Sequence, residues 1–335
     1  KIAQFIKRFV DREGCMEFDV SAVCAIVEYS SRTAERQDKL STRFNHLAEI
    51  LCEAVTWAKL EGAELVTAEH IQKTIYEKEQ RMKLYEEKLD EMLEENVIMI
   101  DTEGAEIGQI NGLAVLDMGN YAFGNPSRIT ATTYVGKSGI VNIEKEARLS
   151  GQTHDKGVQI ITGFLGQTYA QNFPLSLSCR VCFEQNYNGI DGDSASSTEL
   201  YCILSSLAEL PIRQDLAVTG SVNQKGEIQA IGGVTHKIEG FFDLCRKRGL
   251  TGTQGVIIPV SNVKDLVLKD EVVQAVKDGL FHIYPISKID EGIELLMGLS
   301  AGKKNKTGNF PANSVHGRVM KKLKAFDKRA QGEEE

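Results

Sequence analysis

The residue pattern changes near Asn96, and this change divides the chain into two parts that must fold differently. Residues 1–95 contain no proline, and their apolar residues recur at spacings of three and four, which is the period of an amphipathic helix. After Asn96, short runs rich in β-branched residues alternate with glycines and other turn residues, which is typical of strands. The sequence therefore predicts an α+β protein, with a helical part at 1–95 and a mixed α/β part at 96–299.

The helical part is predicted to contain several amphipathic helices, the last of them long. That helix is expected to begin at Thr67 and to continue without a break to the acidic run that ends at Glu95. Its exposed positions alternate glutamate and lysine, as on a solvated face. Two earlier stripes are expected to face the core: Val20, Val23, Cys24 and Val27 form one, and Leu47, Ile50, Leu51, Val55 and Ala58 form the other.

The second part is predicted to begin with strands and to continue with alternating helices and strands. The strand-like runs occupy residues 97–101, 111–118, 128–135, 139–147 and 157–165. A helix is expected from Ser196, with Ser196 and Glu199 at the spacing of a capping box, and residues 261–268 are also expected to be helical. Residues 300–335 are predicted to form a polar linker, a short amphipathic helix after Ser314 and an acidic, disordered tail at 331–335.

Composition and charge argue against several classes of protein. The net charge of -8 and the sequence pI of about 5.5 oppose a general nucleic-acid binder, which usually has a basic excess. No run of about 18 or more apolar residues occurs, so no membrane span is expected. The chain starts without a methionine and without a secretory signal, and we expect it to be a piece of a longer protein.

The cysteines predict free thiols rather than disulfides or a zinc site. There are seven of them, an odd and scattered set, which indicates a protein of the reducing cytoplasm. Cys179 and Cys182 form a CxxC motif, but a zinc site would need a second pair and none occurs. Both lie in an apolar, strand-like run, which favours buried structural cysteines. No metal is therefore expected.

Ser194 is the first candidate for chemistry, because it lies at the entry to a predicted helix, within Gly192-Asp193-Ser194-Ala195-Ser196. A helix entry offers free backbone N–H groups and the positive end of the helix dipole. A serine placed there can attack a carbonyl while those N–H groups hold the oxyanion. The alternative is that the serine only caps the helix.

Lys237 is the second candidate, one turn inside a predicted helix that follows Gly232-Gly233. Its helix neighbours Val234, Ile238, Phe241 and Phe242 are apolar. An apolar setting disfavours the ammonium form and lowers the pKa of a lysine, which can then accept the proton of a serine hydroxyl. The alternative is a surface lysine whose stem packs on apolar neighbours while its amine stays in water.

Together these residues resemble the proteolytic domain of the Lon protease family, in which the serine of G-x-S-A and the lysine of GG-x-x-x-K form a Ser–Lys dyad. The resemblance covers roughly residues 105–298. It implies a serine endopeptidase in which Lys237 activates Ser194. Thr219, in the strand VTGSV, would hydrogen-bond the lysine. Backbone N–H groups near Asp193, Ser194 and Ala195 would bind the oxyanion.

The acidic residues near Ser194 are similar to those of the B-type, archaeal-like branch of that family. Asp191 lies three residues before the serine, where an acidic residue in this branch can contact the lysine. Its charge would raise the pKa of Lys237 and oppose its role as base, so Asp191 would mark an inhibited geometry. Glu184 is a second acidic candidate. The segments at 110–115 and 149–157 also resemble this branch and would shape the substrate groove, with His154 near it.

The first part resembles the small helical lid subdomain of an AAA+ ATPase, which precedes the protease in B-type Lon chains. Arg43, in Leu40-Ser41-Thr42-Arg43, would then reach the phosphates of a nucleotide. The motif Gly136-Lys137-Ser138 lacks the first glycine of a Walker A loop and is followed by a strand-like run. The chain alone is therefore not expected to hydrolyse ATP, although ATP and Mg²⁺ are expected for a full-length protein.

The resemblance also implies partners: unfolded or damaged proteins as substrates and a homo-oligomer, expected as a hexameric ring, without a membrane. Two other functions stay open. The chain could be a catalytically latent Lon-fold module that binds polypeptide and is held inactive by Asp191. Alternatively, the helices of residues 1–95 could bind DNA, against which the acidic balance argues.

Overall fold

The structure, a computed structural model, describes residues 1–332 and divides into two compact units. The first unit comprises Lys1–Glu91 with the short segments Asp117–Ala122 and Lys264–Leu268. The second comprises Met92–Leu116, Phe123–Val263 and the residues from Lys269 onward. Their secondary structure confirms the predicted class of a helical first part followed by a mixed α/β part.

The first unit is helical, as the spacing of its apolar residues predicts. Its helices are α1 (Ile2–Glu13), α2 (Val20–Thr33), α3 (Phe44–Leu60), α4 (Ala68–Met82) and the start of α5 (Leu84–Glu94). The stripe expected in α3, from Leu47 to Ala58, is buried throughout. The stripe expected in α2 is wrong except at Val23, which packs against the core. Val20 is 80% exposed, and Ala22, Ala25 and Ile26 are the buried apolar residues.

The long helix expected between Thr67 and Glu95 is divided in two. Helix α4 ends at Met82 and α5 begins at Leu84, so Lys83 separates them. No proline or glycine marks this break. Periodicity could not reveal it, because the apolar spacing continues on both sides of the interruption.

The second unit is built on a seven-stranded mixed sheet and two short strand pairs. Its strands are β1 (Ala105–Ile107), β2 (Gln109–Asp117), β3 (Ala122–Val135), β4 (Gly139–Asn142), β5 (Leu177–Phe183), β6 (Pro211–Arg213), β7 (Leu216–Val218), β8 (Ser221–Val222), β9 (Ile228–Gln229), β10 (Gly255–Pro259) and β11 (His282–Ile286). The large sheet has the order β11-β10-β7-β2-β3-β5-β4, in which β7 is parallel to β2 and to β10. The antiparallel pair β8–β9 follows β7 directly.

Seven helices surround this sheet in the part of the chain that is described. They are α6 (Ile143–Glu146), α7 (Gln152–Tyr169), α8 (Ser196–Ala208), α9 (Val234–Arg248), α10 (Asp270–Lys277), α11 (Ile289–Met297) and α12 (Val315–Gln331). Helix α8 is almost wholly buried within the core that it shares with α7, α11 and α12. The two helices that begin at the candidate motifs are α8 and α9.

Some predicted elements of this unit are wrong or only partly right. Residues 97–101 form no strand, and of the run 139–147 only residues 139–142 are a strand, β4, which α6 follows directly. Residues 157–165 belong to α7 rather than to a strand, and their buried residues Val158, Ile161, Phe164 and Leu165 have the helical spacing of three and four. Residues 261–268 are helical only in part: a 3-10 helix forms at Val260–Asp265, and residues 266–268 are not helical.

The C-terminal helix begins where the sequence predicts, with the Ser314 side chain accepting a hydrogen bond from the Gly317 N–H at 3.1 Å. Its apolar face joins the main core rather than standing apart from it. Gln331 ends this helix and Gly332 caps it, so these two residues do not belong to the disordered tail that was expected from residue 331. Residues 333–335 lie outside the described residues.

The cysteines of the described chain are all free thiols. Cys179 is buried as predicted, whereas Cys182 is only half-buried. Burial raises the pKa of both thiols to about 12, so both stay protonated at neutral pH. Among residues 1–332, no group of three or more His, Cys, Asp or Glu side chains is arranged to hold a metal ion. No helix in the same range is both long and apolar enough to cross a bilayer.

Candidate active site

The candidate nucleophile Ser194 lies two residues before the start of α8 and does not cap it. The N-cap position is Ala195, without a side-chain capping bond, so the interpretation of Ser194 as a cap is wrong. The capping box expected from Ser196 and Glu199 is also absent. Ser196 Oγ instead accepts a hydrogen bond from the Val222 N–H at 3.0 Å, which ties the start of α8 to β8.

The polar first turn of α8 holds the loop between β7 and β8 against Ser194. Ser197 Oγ donates to the Gly220 carbonyl at 2.7 Å, and Thr198 Oγ1 donates to the Val218 carbonyl at 3.2 Å. The Gly220 N–H donates in turn to the Ser194 carbonyl at 2.8 Å. Because Thr219 lies between Val218 and Gly220, these bonds fix its side chain beside the serine.

The position of Lys237 depends on a close approach between α9 and β3. A Cβ atom on Gly124 of β3 would overlap the His236 carbonyl oxygen, and a Cβ atom on Gly240 of α9 would overlap the Gly124 carbonyl oxygen. Only glycine at both positions lets the helix lie directly on the strand. This packing buries the first turn of α9, and Lys237 is 3% exposed, which contradicts the interpretation of a surface lysine.

The structure brings Ser194, Thr219 and Lys237 together. Lys237 Nζ lies 2.8 Å from Ser194 Oγ and 3.0 Å from Thr219 Oγ1. Thr219 Oγ1 also donates to the Ser194 carbonyl at 3.4 Å. The amine therefore contacts two hydroxyl groups at hydrogen-bond distance, and the neutral amine could accept the proton of the serine.

Burial lowers the pKa of Lys237 to about 8 from its ordinary value of 10.5. The carboxylate of Asp193 opposes this effect, because a nearby negative charge favours the ammonium form. Asp193 accepts a hydrogen bond from Ser221 Oγ at 2.8 Å, which fixes its carboxylate beside the loop. A substantial fraction of Lys237 is thus neutral at mildly alkaline pH.

Backbone donors are available next to the serine. Within residues 1–332, the N–H groups of Asp193, Ser194 and Ala195 have no acceptor. They lie just before the first turn of α8, where the helix dipole adds partial positive charge. Such a set of donors can bind the oxygen of a tetrahedral intermediate.

The acidic residue whose charge acts on Lys237 is Asp193, not Asp191. The Asp191 carboxylate accepts hydrogen bonds from the N–H groups of Thr153 and His154, at 3.1 and 3.2 Å, at the start of α7. Bonds from backbone N–H groups, first that of Gly192, lower the pKa of Asp191. The expected contact between Asp191 and the lysine is thus absent here, and the latent-module interpretation loses the observation on which it depended.

Glu184 is likewise engaged elsewhere. Its carboxylate accepts a hydrogen bond from Thr130 Oγ1 at 2.6 Å, across the antiparallel pair β3–β5. The Glu184 side chain thus bonds to the neighbouring strand β3, and the structure does not bring it to Lys237.

Known proteins match both parts of the chain. The family model of the archaeal LonB AAA+ ATPase lid domain matches residues 17–81, and that of the Lon protease C-terminal proteolytic domain matches residues 181–298. A Lon protease homolog of Escherichia coli strain K12 is 41% identical over 245 residues, which cover 72% of this chain and 42% of the relative. The chain belongs to the Lon protease family.

Other relatives bear the same family name. A Lon protease homolog of Haemophilus influenzae is 36% identical over 319 residues, covering 93% of this chain and 52% of the relative. An archaeal Lon protease of Pyrococcus abyssi is 31% identical over 323 residues, covering 91% of this chain and 29% of the relative. The chain thus spans about half the length of the two bacterial relatives.

Arg43 lies in the unit that the LonB lid model matches. It is the N-cap residue of α3, and its side chain is exposed. No ion pair or side-chain hydrogen bond engages its guanidinium among the described residues. Gly136-Lys137-Ser138 lies between β3 and β4, with no helix directly after it, so it is not built like a phosphate loop.

One buried pair of this Lon domain has no signature in the sequence. Glu199, expected to complete a capping box, is instead 1% exposed and lies next to His154, which is also 1% exposed. Both are polar residues in segments with apolar spacing, and only the contact between α7 and α8 reveals that they face each other.

Proposed function

We propose that this Lon-family chain hydrolyses peptide bonds by acyl transfer, with Ser194 as the nucleophile and Lys237 as the general base. The observation that supports the proposal most strongly is the 2.8 Å distance between Lys237 Nζ and Ser194 Oγ, with the lysine 3% exposed. The lowered pKa of Lys237, about 8, lets the amine be neutral when it is needed as a base.

In the first half of the reaction, the neutral amine of Lys237 accepts the hydroxyl proton of Ser194 while Oγ bonds to the substrate carbonyl carbon. Negative charge develops on the carbonyl oxygen, which the N–H groups of Ser194 and Ala195 would bind. The ammonium of Lys237 then donates its proton to the leaving amine. The C–N bond breaks and an acyl ester remains on Ser194.

In the second half, Lys237 accepts a proton from water, and the oxygen of that water attacks the ester. Collapse of the second tetrahedral intermediate breaks the bond to Ser194 Oγ, which takes back its proton from the lysine. The product acid leaves and the enzyme returns to its starting state. Thr219 Oγ1, 3.0 Å from the amine, orients Lys237 through both steps.

Hydrolysis of an unfolded, fluorescently labelled casein tests this proposal. We expect the parent chain to be active and Ser194→Ala and Lys237→Ala to lose at least about 10²-fold in rate, as for the loss of a general base. Exposed residues of the same types, in Ser300→Ala and Lys324→Ala, serve as matched controls and should keep the parent rate. A Lys237→Ala variant that cuts as fast as the parent would falsify the mechanism.

For the longer protein, we propose an ATP-dependent endopeptidase of the cytoplasm that degrades unfolded or damaged proteins and works as a hexameric ring. The family of the chain and its match to the LonB lid support this extension. Hydrolysis of Mg–ATP would supply the energy to deliver substrate. The exposed Arg43 fits a contact with nucleotide phosphate, and the remainder of such a site would come from residues beyond this chain.

A further inference from the structure

The described chain buries a histidine and a glutamate side by side next to the Ser194 loop. His154 on α7 and Glu199 on α8 are each 1% exposed, and His154 Nε2 lies 3.6 Å from Glu199 Oε1. Neither Nε2 nor either carboxylate oxygen of Glu199 has a hydrogen-bond partner among residues 1–332. Buried polar atoms without partners cost free energy, so this pair calls for an explanation other than stability.

The same histidine contacts the segment that contains the nucleophile. Its backbone N–H donates to the Asp191 carboxylate at 3.2 Å, and its ring interacts with the Gly192 backbone. About one turn later, at Gly157, α7 packs on the same segment: an added Cβ atom would be in ordinary contact with Ser196 Cβ at 3.4 Å and with Asp193 Cβ at 3.5 Å. His154 therefore lies between the loop before Ser194 and the first turn of the helix after it.

The surroundings of the pair favour a state in which Glu199 is protonated and the His154 ring is neutral. Burial raises the pKa of Glu199 to about 8, and the charge of Glu144 adds to this effect. Burial also lowers the pKa of His154, against the charges of Asp155 and Asp191. A protonated carboxyl and a neutral imidazole can then face each other, so that Glu199 donates toward Nε2 once the two groups approach within hydrogen-bond distance.

We propose that His154 and Glu199 are positioning residues, which fix the Gly192–Ala195 segment so that Ser194 Oγ and the backbone donors hold their productive geometry. The pair connects three segments whose relative positions must be kept: the loop before the serine, the first turn of α8 and the start of α7. This inference rests on the proposed function, because it assigns the pair a role only if Ser194 is the nucleophile. Neither residue touches the reacting atoms.

The test compares variants of the full chain by kcat and KM for a fluorogenic peptide. In His154→Leu, which keeps bulk but removes both nitrogens, we expect kcat to fall about 10- to 10²-fold, since a misplacement of about 1 Å can cost this much. KM should stay within a few-fold. His154→Asn retains a donor toward Gly192, and Glu199→Gln retains a polar group toward the ring. Both variants should therefore keep most of the parent kcat.

His316→Leu is the matched control, because His316 is also buried and hydrogen-bonded, with Tyr169 Oη 2.5 Å from its Nδ1. It should lower the melting temperature without lowering kcat at temperatures where the variant is folded. If His154→Leu keeps the parent kcat, or if both leucine variants lose kcat in proportion to their loss of melting temperature, the inference is wrong.

A crystal structure of His154→Leu gives a readout that does not depend on activity. We expect Ser194 Oγ to move out of hydrogen-bond distance from Lys237 Nζ, and unchanged positions of both atoms would overturn the inference. Ser194→Ala separates the two proposals. If Ser194→Ala keeps full activity, the proposed function is wrong. If Ser194→Ala is inactive while His154→Leu is fully active, only the positioning role of His154 is wrong.

Discussion

A lysine acts as a general base only while its amine is neutral, and burial of Lys237 sets the pH at which this happens. Because burial lowers the pKa of Lys237 to about 8, the neutral fraction grows as the pH rises through that value. We therefore expect kcat/KM for a fluorogenic peptide to increase with pH and to reach half its plateau near pH 8. A rate that does not depend on pH from about pH 6 to about pH 10 would contradict this assignment.

Asp193 offers an independent check of the same titration. Its carboxylate raises the pKa of Lys237, so Asp193→Asn removes a charge that favours the ammonium form. The midpoint of the pH–rate profile should move to lower pH in this variant. Asp191→Asn is the matched control, because the Asp191 carboxylate bonds the start of α7, and its profile should keep the parent midpoint. The opposite pattern would restore Asp191 as the partner of the lysine.

The hydroxyl of Thr219 is expected to matter more than its methyl group. Lys237 Nζ donates to Thr219 Oγ1 at 3.0 Å, and an isosteric valine would leave that buried amine with one partner fewer. We expect Thr219→Val to lower kcat by about 10-fold or more, in the range of one lost hydrogen bond to a charged group. Thr219→Ser keeps the hydroxyl and should stay within a few-fold of the parent. Equal rates for the two variants would exclude the orienting role.

The buried Glu199 should make stability depend on pH. Its pKa is about 8 in the folded protein, against an ordinary value of 4.5. A raised pKa means that the folded state holds the proton more tightly, so its contribution to stability is complete below pH 4.5 and is lost as the pH rises to about 8. Glu199→Gln cannot lose a proton there. Its melting temperature relative to the parent should therefore rise between pH 5 and pH 8, and a constant difference would contradict the raised pKa.

At the scale of elements, the contact of α9 with β3 determines where Lys237 lies. Gly124→Ala would place a methyl group against the His236 carbonyl and push the helix away from the strand. We expect a loss of about 1–3 kcal/mol in the free energy of unfolding, as for other overpacked sites, together with a larger loss of kcat. Urea unfolding and peptide hydrolysis measure the two effects.

Gly166→Ala in α7 is the control for this substitution, because no atom lies within 4 Å of its added methyl group. Alanine favours a helix over glycine by about 0.5–1 kcal/mol, so this variant should be at least as stable as the parent and fully active. If both variants behave alike, the close approach of α9 to β3 does not position the lysine.

Several elements could be predicted from local pattern, and the errors have a common cause. The α3 stripe follows helical spacing and is buried, whereas spacing alone does not identify the inward face of α2, because Val20 and Val27 are as apolar as the residues that point inward. In residues 157–165, the β-branched residues and glycines favour a strand, whereas the spacing of Val158, Ile161 and Phe164 matches the helix that forms. In this segment periodicity is a better guide to secondary structure than composition.

Some features of the site can be predicted from sequence motifs, and others depend on tertiary contacts. Ser194, Lys237 and Thr219 could be named from motifs, and the structure brings them within hydrogen-bond distance, although their catalytic roles stay predictions. The partner of Asp191 could not be foreseen, because it depends on where α7 begins relative to the loop. The burial of Glu199 beside His154 follows only from the packing of two helices that are distant in sequence.

At the scale of the whole molecule, the C-terminal helix is part of the main core rather than an appendage. Val315, Val319, Leu323 and Phe326 are buried in the same cluster as α8. We expect Leu323→Ala to cost about 2–5 kcal/mol in the free energy of unfolding, as for a buried leucine elsewhere. The exposed neighbour in Lys324→Ala should change it by less than about 0.5 kcal/mol. A small loss for Leu323→Ala would mean that α12 is only loosely attached.

The central claim is that Ser194 is a nucleophile because Lys237 accepts its proton. The most direct test is to react the parent chain with a fluorophosphonate at pH 8, close to the pKa of Lys237, and to locate the adduct by tandem mass spectrometry. We expect a single adduct on Ser194, with labelling at least about 10²-fold slower in Lys237→Met, a variant of similar length without a base. An adduct on another serine, or equal labelling of Ser194 in both proteins, would contradict the account.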